Sequence, residues 1–175
     1  MFVGRKLYVA GFALLAAQGV MGWYMVKSGL VSNPYVSHYR LATHLIFAVI
    51  LYIIMFWQLM KNSFDLMIVP PGAKIYLAGF WCGLSIFLVL VQIMLGGFVA
   101  GLDAGLVYNS FPMMGDSFVP HEVYVSVLSL SSFDDPVFVQ FIHRMMAYVL
   151  VISVGIFCYF AARVKNSKLT KSAIY

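Results

Sequence analysis

Ile75-Tyr76-Leu77-Ala78-Gly79-Phe80-Trp81-Cys82-Gly83-Leu84-Ser85-Ile86-Phe87-Leu88-Val89-Leu90-Val91-Gln92-Ile93-Met94-Leu95-Gly96-Gly97-Phe98 contains no charged side chain. A helix of about twenty residues crosses the roughly 30 Å hydrocarbon core of a bilayer, and this run is long enough to do so. Three further blocks qualify: Leu7 to Val26, Leu41 to Met60, and Val137 to Ala162. Helix is required of them, because lipid cannot satisfy backbone N–H and C=O groups and no block alternates like a barrel strand. The expected fold is therefore all-α, a polytopic transmembrane helix bundle of four spans forming one membrane domain over residues 1–175.

Composition points the same way. Of 175 residues, 63% are hydrophobic and 10% charged, with a mean hydropathy of +0.93. Ordinary soluble domains carry roughly 25% charged residues, so that class is excluded. The formal net charge is +5, but the basic residues flank the apolar blocks and form no face, which argues against a nucleic-acid partner. They read as topology signals instead. Arg5 and Lys6 precede the first span, Lys61 and Lys74 lie between the second and third, and Arg163, Lys165, Lys168 and Lys171 follow the fourth. Only Lys27, Arg40 and Arg144 lie on the other side, so both termini are expected to be cytoplasmic, or on the matrix side in an organelle. The first block has signal-peptide features, but it continues through Trp23 to Val26, which is too long for a cleavable core. A retained helix is expected. Cys82 and Cys158 fall inside spans, where packing is the expected role.

The chain divides into two hairpins joined by a short inner loop, Lys61 to Lys74, with a break at Pro70-Pro71-Gly72. Each hairpin has an outgoing helix, an outer loop, and a returning helix carrying one histidine. Gln18-Gly19-Val20-Met21-Gly22 resembles Gln92-Ile93-Met94-Leu95-Gly96. Each is followed by a small-Gly-Leu triplet, Ser28-Gly29-Leu30 and Ala104-Gly105-Leu106, at offsets differing by two residues. A parallel repeat and a chance likeness in a Gly-rich chain both explain this. The pairs Gly79/Gly83 and Gly97/Gly101 are expected to let the third span approach its neighbours closely. In the long outer loop from Asp103 to Asp135, His121 to Leu130 is expected to form a short surface helix, and Asp135-Pro136 a helix start.

Four histidines occur. His38 and His121 lie in outer segments, where a solvated or capping role is the default. His44 and His143 lie a turn or two inside the outer ends of their helices, at similar depth. An ionisable group at that depth needs a partner, either an interhelical hydrogen bond or a metal. Arg40 is four residues before His44, on the same face and about 6 Å nearer the surface; Arg144 follows His143 directly. A haem standing edge-on would put its iron at an imidazole and its propionates at such guanidinium groups, although snorkelling to lipid headgroups also explains the arginines. No Cys-x-x-Cys-His sequence is present, so a bound haem would be non-covalent. No ligand spacing suits zinc or a di-iron centre. Imidazole in an apolar slot suits haem iron better. Gln140, three residues before His143, is placed to help order that site.

Several motifs in order resemble haem A synthases. Gln18-Gly19-Val20-Met21-Gly22-Trp23-Tyr24-Met25-Val26-Lys27-Ser28-Gly29-Leu30 looks like their third helix, and Ser37-His38-Tyr39-Arg40-Leu41-Ala42-Thr43-His44-Leu45 the start of their fourth. Gly97-Phe98-Val99-Ala100-Gly101-Leu102-Asp103-Ala104-Gly105 with Tyr108-Asn109-Ser110-Phe111-Pro112-Met113 is similar to the end of the fifth, and Gln140-Phe141-Ile142-His143-Arg144 to the sixth. The likeness spans nearly the whole chain, and the lack of an outer cysteine pair resembles the proteobacterial and mitochondrial branch.

The resemblance implies oxidation of the C8 methyl of haem O to the formyl of haem A, for cytochrome oxidase, with haem b as redox cofactor. It implies that His44 faces the substrate-haem site and that His143 is an axial ligand of haem b, with Arg40 and Arg144 beside them. It places the chain in a bacterial or mitochondrial inner membrane, with lipid, haem O synthase and oxidase assembly factors as partners. The family has eight helices, of which these four are the central ones. The other histidine ligands and an acidic catalytic residue are expected on helices outside this sequence, or from a homo-oligomer. A b-type cytochrome, in which both histidines ligate one haem, and an inactive membrane remnant remain as alternatives.

Overall fold

A computed structural model describes residues 2–29, 36–63, 72–125 and 130–164. Four long helices dominate it: α1 (Phe2–Gly29), α2 (His38–Ser63), α3 (Ala73–Gly101) and α5 (Pro136–Ala162). Between α3 and α5 lie a 3₁₀ turn at Ala104–Leu106, the short helix α4 (His121–Val125) and a second 3₁₀ turn at Leu130–Asp134. Each long helix contains a stretch long and apolar enough to cross a membrane: Lys6–Lys27, His38–Ser63, Lys74–Gly101 and Pro136–Ala162. The chain is thus an all-α, polytopic integral membrane protein. The helices outrun the apolar blocks because amphipathic residues extend their ends. Lys27 lies over the Trp23 ring at 4.8 Å and Arg163 over Tyr159 at 4.1 Å, pairs suited to a membrane–water interface.

The long helices pack in chain order, α1 on α2, α2 on α3, and α3 on α5. Named contacts give an antiparallel register. In the first hairpin Asn62 Nδ2 donates to the Tyr8 hydroxyl (3.0 Å), the Gly11 position faces Leu51 and Ile54, and Gln18 meets His44. In the second, the Ser85 and Ser153 hydroxyls share a buried hydrogen bond at 2.9 Å, and Gln92 meets His143.

The hairpins join where α2 crosses α3. A Cβ on Gly97 would lie 2.8 Å from Ala42 Cα, and one on Gly101 2.6 Å from both Cα and Cβ of His38. Glycine is required at both, because backbone occupies the space a side chain would need. Around this crossing Ala42, Leu95, Phe98 and Val139 form the buried core, backed by Phe133, Ile142 and Met146. Gly79 and Gly83 do not act in this way. A Cβ at either meets nothing within 4 Å, so this pair mediates no close helix approach among the described residues.

The start of α5 follows the expected chemistry. Asp135 Oδ1 accepts from Val137 N (2.9 Å) and Phe138 N (3.5 Å), and Pro136 fills the first turn. Of the helix expected over His121 to Leu130, His121–Val125 is helical as α4 and Leu130 begins the second 3₁₀ turn, while 126–129 lie outside the described residues. The break at Pro70-Pro71, Leu30 of the first triplet, and the basic residues Lys165, Lys168 and Lys171 also lie outside them.

Candidate functional site

His44 and His143 occupy equivalent places in the two hairpins. Each is half-buried on the returning helix, about 9–10 Å inside its outer end, and faces the outgoing helix of its own hairpin. Opposite each ring is a glycine. A Cβ at Gly22 would lie 3.6 Å from His44 Cε1, and one at Gly96 3.4 Å from His143 Cε1. One turn before each glycine is a glutamine. Gln18 Nε2 donates to the His44 carbonyl at 3.0 Å, and Gln92 Nε2 lies 3.2 Å from the His143 carbonyl. The likeness between Gln18–Gly22 and Gln92–Gly96 is therefore also a likeness of position: one residue reaches the histidine backbone, and the other leaves room for its ring.

The two rings differ in their polar partners. Gln92 Nε2 also lies 3.2 Å from His143 Nδ1 and 3.3 Å from its Nε2, whereas His44 Nδ1 is buried with no hydrogen-bond partner among the described residues. A buried, unpaired ring nitrogen costs free energy unless something takes its lone pair or proton. That orphaned atom of His44 fits a metal-bearing ligand such as haem.

Gln140 does not order His143. Its amide turns outward, and Nε2 donates to the Tyr108 carbonyl at 2.9 Å, so this buried residue anchors the outer loop. Arg144 joins it: Nη2 donates to the Tyr108 carbonyl at 2.7 Å, and Nη1 to those of Ser110 (2.8 Å) and Met113 (3.3 Å). Within the loop, Ser110 Oγ donates to the Met113 carbonyl and accepts from Gly115 N. Gly115 adopts φ +70, a conformation that suits glycine. Arg40 stacks its guanidinium over Tyr24 at 4.8 Å, tying the outer end of α2 to α1.

His38, for which the outer position implies a solvated or capping role, is enclosed rather than solvated. It is 8% exposed, pinned by Gly101 from below and by the edge of Phe98 (ring centroids 5.3 Å). Its Nε2 lies at ion-pair distance from Asp134 Oδ1, 3.2 Å, without hydrogen-bond geometry. His121 is exposed at the start of α4. Gln18 and Gln92 are the residues that sequence reasoning missed in this role. Their signal was available, as polar residues on otherwise apolar helices at matching offsets from glycine.

Comparison with known proteins gives the same affiliation. The sequence profile of the cytochrome oxidase assembly protein family matches residues 3–175. Proteins named "Heme A synthase" from Rickettsia felis and Rickettsia rickettsii are each 47% identical to the chain over 168 residues, and one from Rickettsia bellii is 50% identical. Each alignment covers 96% of this chain and 50% of the relative, so the chain spans about half the length of the curated relatives it matches. No solved structure matches it. With its motifs in family order and the profile matched from end to end, the chain belongs to the cytochrome oxidase assembly protein family.

Proposed function

We propose that the whole protein is a haem A synthase, oxidising the C8 methyl of haem O to the formyl of haem A for cytochrome oxidase. The observation that carries this reading is the doubled arrangement of a histidine, a facing glycine and a glutamine one turn away, once in each hairpin. Two such histidines, each facing a different helix, suit two haems. His143 is assigned as axial ligand of a resident haem b, which supplies redox chemistry when bound, and His44 to the haem O site. Arg40 and Arg144 lie on the outer side of these histidines, where propionates would emerge, and Arg144 also holds the loop beside that exit. The positive-inside asymmetry supports cytoplasmic or matrix-side termini in a bacterial or mitochondrial inner membrane. Haem O synthase and oxidase assembly factors are the partners this activity requires.

The test is to express the full-length protein in cells that make haem O but no haem A, extract the haems and weigh them. Haem A formation is expected, and it should be lost in His44→Ala, which retains the haem b spectrum. Haem b without haem A would instead mark a b-type cytochrome, and no haem at all a membrane remnant.

A further inference from the structure

We propose that residues 104–115 form a membrane anchor, folding back along α5 so that Phe111 lies among the acyl chains of the leaflet on the loop's side. Asp103 and Asp116 bracket this stretch, and no residue between them is charged. One stripe of α5 carries it, Gln140, Arg144 and Tyr148, at the four-residue spacing that shares a helix face. Gln140 Nε2 and Arg144 Nη2 donate to the Tyr108 carbonyl, and Arg144 Nη1 to those of Ser110 and Met113. Further along the stripe, the Phe111 ring lies 6.5 Å from that of Tyr148. The loop therefore descends beside the helix instead of rising away from it.

The far end of α5 fixes the depth. Arg163 stacks over Tyr159 there, a pair suited to the opposite interface. About twenty residues cross the hydrocarbon core, so counting back from Tyr159 puts the near boundary close to Gln140. A tilted helix needs more residues to cross, which moves that boundary toward Pro136 and only deepens the rest. Tyr148 Cα is then about 12 Å inside, and its ring leans back toward the helix start. Phe111 is left roughly 5–10 Å below the boundary, the depth at which interfacial apolar groups settle. It is 75% exposed and Met113 39%, and at this height such exposure is to lipid. Irregular backbone at membrane depth has to be satisfied within the protein, and a guanidinium there needs partners. One set of bonds serves both needs: Arg144 takes up three loop carbonyls, while Ser110 Oγ donates to the Met113 carbonyl and accepts from Gly115 N. Another helix is a poorer occupant of this surface. Helices pack in membranes through small residues, as Ala42 does against Gly97, whereas the loop presents Phe111 and Met113.

Nitroxide accessibility in the full-length protein, cleared of its other cysteines and reconstituted in phosphatidylcholine vesicles, tests this depth. A label on Phe111→Cys should collide several-fold more often with oxygen, which concentrates among acyl chains, than with a water-soluble nickel chelate. A label on Asp116→Cys should show the reverse preference. Both positions are exposed, so labelling leaves the packing intact. Arg144→Gln, which cannot hold three carbonyls, should move the Phe111 label toward nickel access. Equal nickel access at the two positions would overturn the proposal by placing the loop in water. Shielding of position 111 from both reagents would overturn it in favour of a protein partner. An unmoved label in an inserted Arg144→Gln protein would refute the brace that Arg144 supplies. Should that variant fail to insert, the comparison of the two labels decides alone.

Discussion

Alanine at Gly97 or Gly101 tests the crossing that joins the hairpins. The new Cβ would stand 2.8 Å from Ala42 Cα in the first case, and 2.6 Å from His38 Cα and Cβ in the second. Optimal carbon–carbon separation is about 3.5–4.0 Å, so α2 must retreat by roughly 1 Å. No rotamer relieves this, since the obstacles are backbone or fixed to it. Overpacking of this kind costs about 1–3 kcal/mol, and a crossing made of two backbones belongs at the upper end. Replacing a helical glycine by alanine returns about 0.5–1 kcal/mol. The expected net loss is about 1–2 kcal/mol at each site. Gly79→Ala and Gly83→Ala, with nothing within 4 Å, should keep only the gain. Reversible unfolding in mixed detergent–SDS micelles, followed by helix content, measures all four. The reasoning is refuted if Gly97→Ala and Gly79→Ala change stability in the same direction by similar amounts.

Arg144→Lys exchanges a planar fork holding three carbonyls for a point donor, so proteolysis within residues 108–115 should quicken while α5 stays protected. Gly115→Ala places a side chain at φ +70 and 3.1 Å from Tyr108 Cε1; a local loss of about 1–2 kcal/mol should appear as faster hydrogen exchange across the same loop. Asp135→Ala removes the acceptor for Val137 N and should lower thermal stability by about 1 kcal/mol, an effect the Asn variant largely avoids. Gly96→Leu should displace the His143 ring, whose Cε1 stands 3.4 Å from the Cβ position, and on the proposed ligation abolish the haem spectrum of the full-length protein while it still inserts.

The spans were legible because water and lipid impose opposite rules on backbone and side chains, and blocks of twenty apolar residues satisfy only lipid. The Asp135 cap was legible because its signal is local: an acceptor followed by a proline. The face each helix turns to its neighbour was much less so. In a soluble helix polar residues mark the outside, but lipid is as apolar as a packed neighbour, so Gly79/Gly83 and Gly97/Gly101 carry the same signature with opposite surroundings. The destinations of polar side chains were hidden for a related reason. Gln140 and Arg144 turn to loop carbonyls, and where a loop returns over a helix is set by tertiary contacts that no spacing encodes. His38 belongs with them. Its outer position suggested solvent, yet the α2–α3 crossing and Asp134 enclose it.

What spacing did encode is the pair of glutamines, and their divergence separates the two hairpins. Inside a membrane every polar atom needs a partner, so a glutamine and a histidine placed opposite one another constrain each other before any ligand arrives. Each hairpin brings the glutamine to the histidine backbone, which sets the height of the returning helix against the outgoing one. Beyond that shared brace the amides part. In the second hairpin the amide also covers the ring nitrogens, which suits an imidazole held in one orientation. In the first it stops at the carbonyl, and His44 Nδ1 has no hydrogen-bond partner among the described residues. The two hairpins thus share one brace and differ in where the amide lands, so their histidines stand in different polar surroundings.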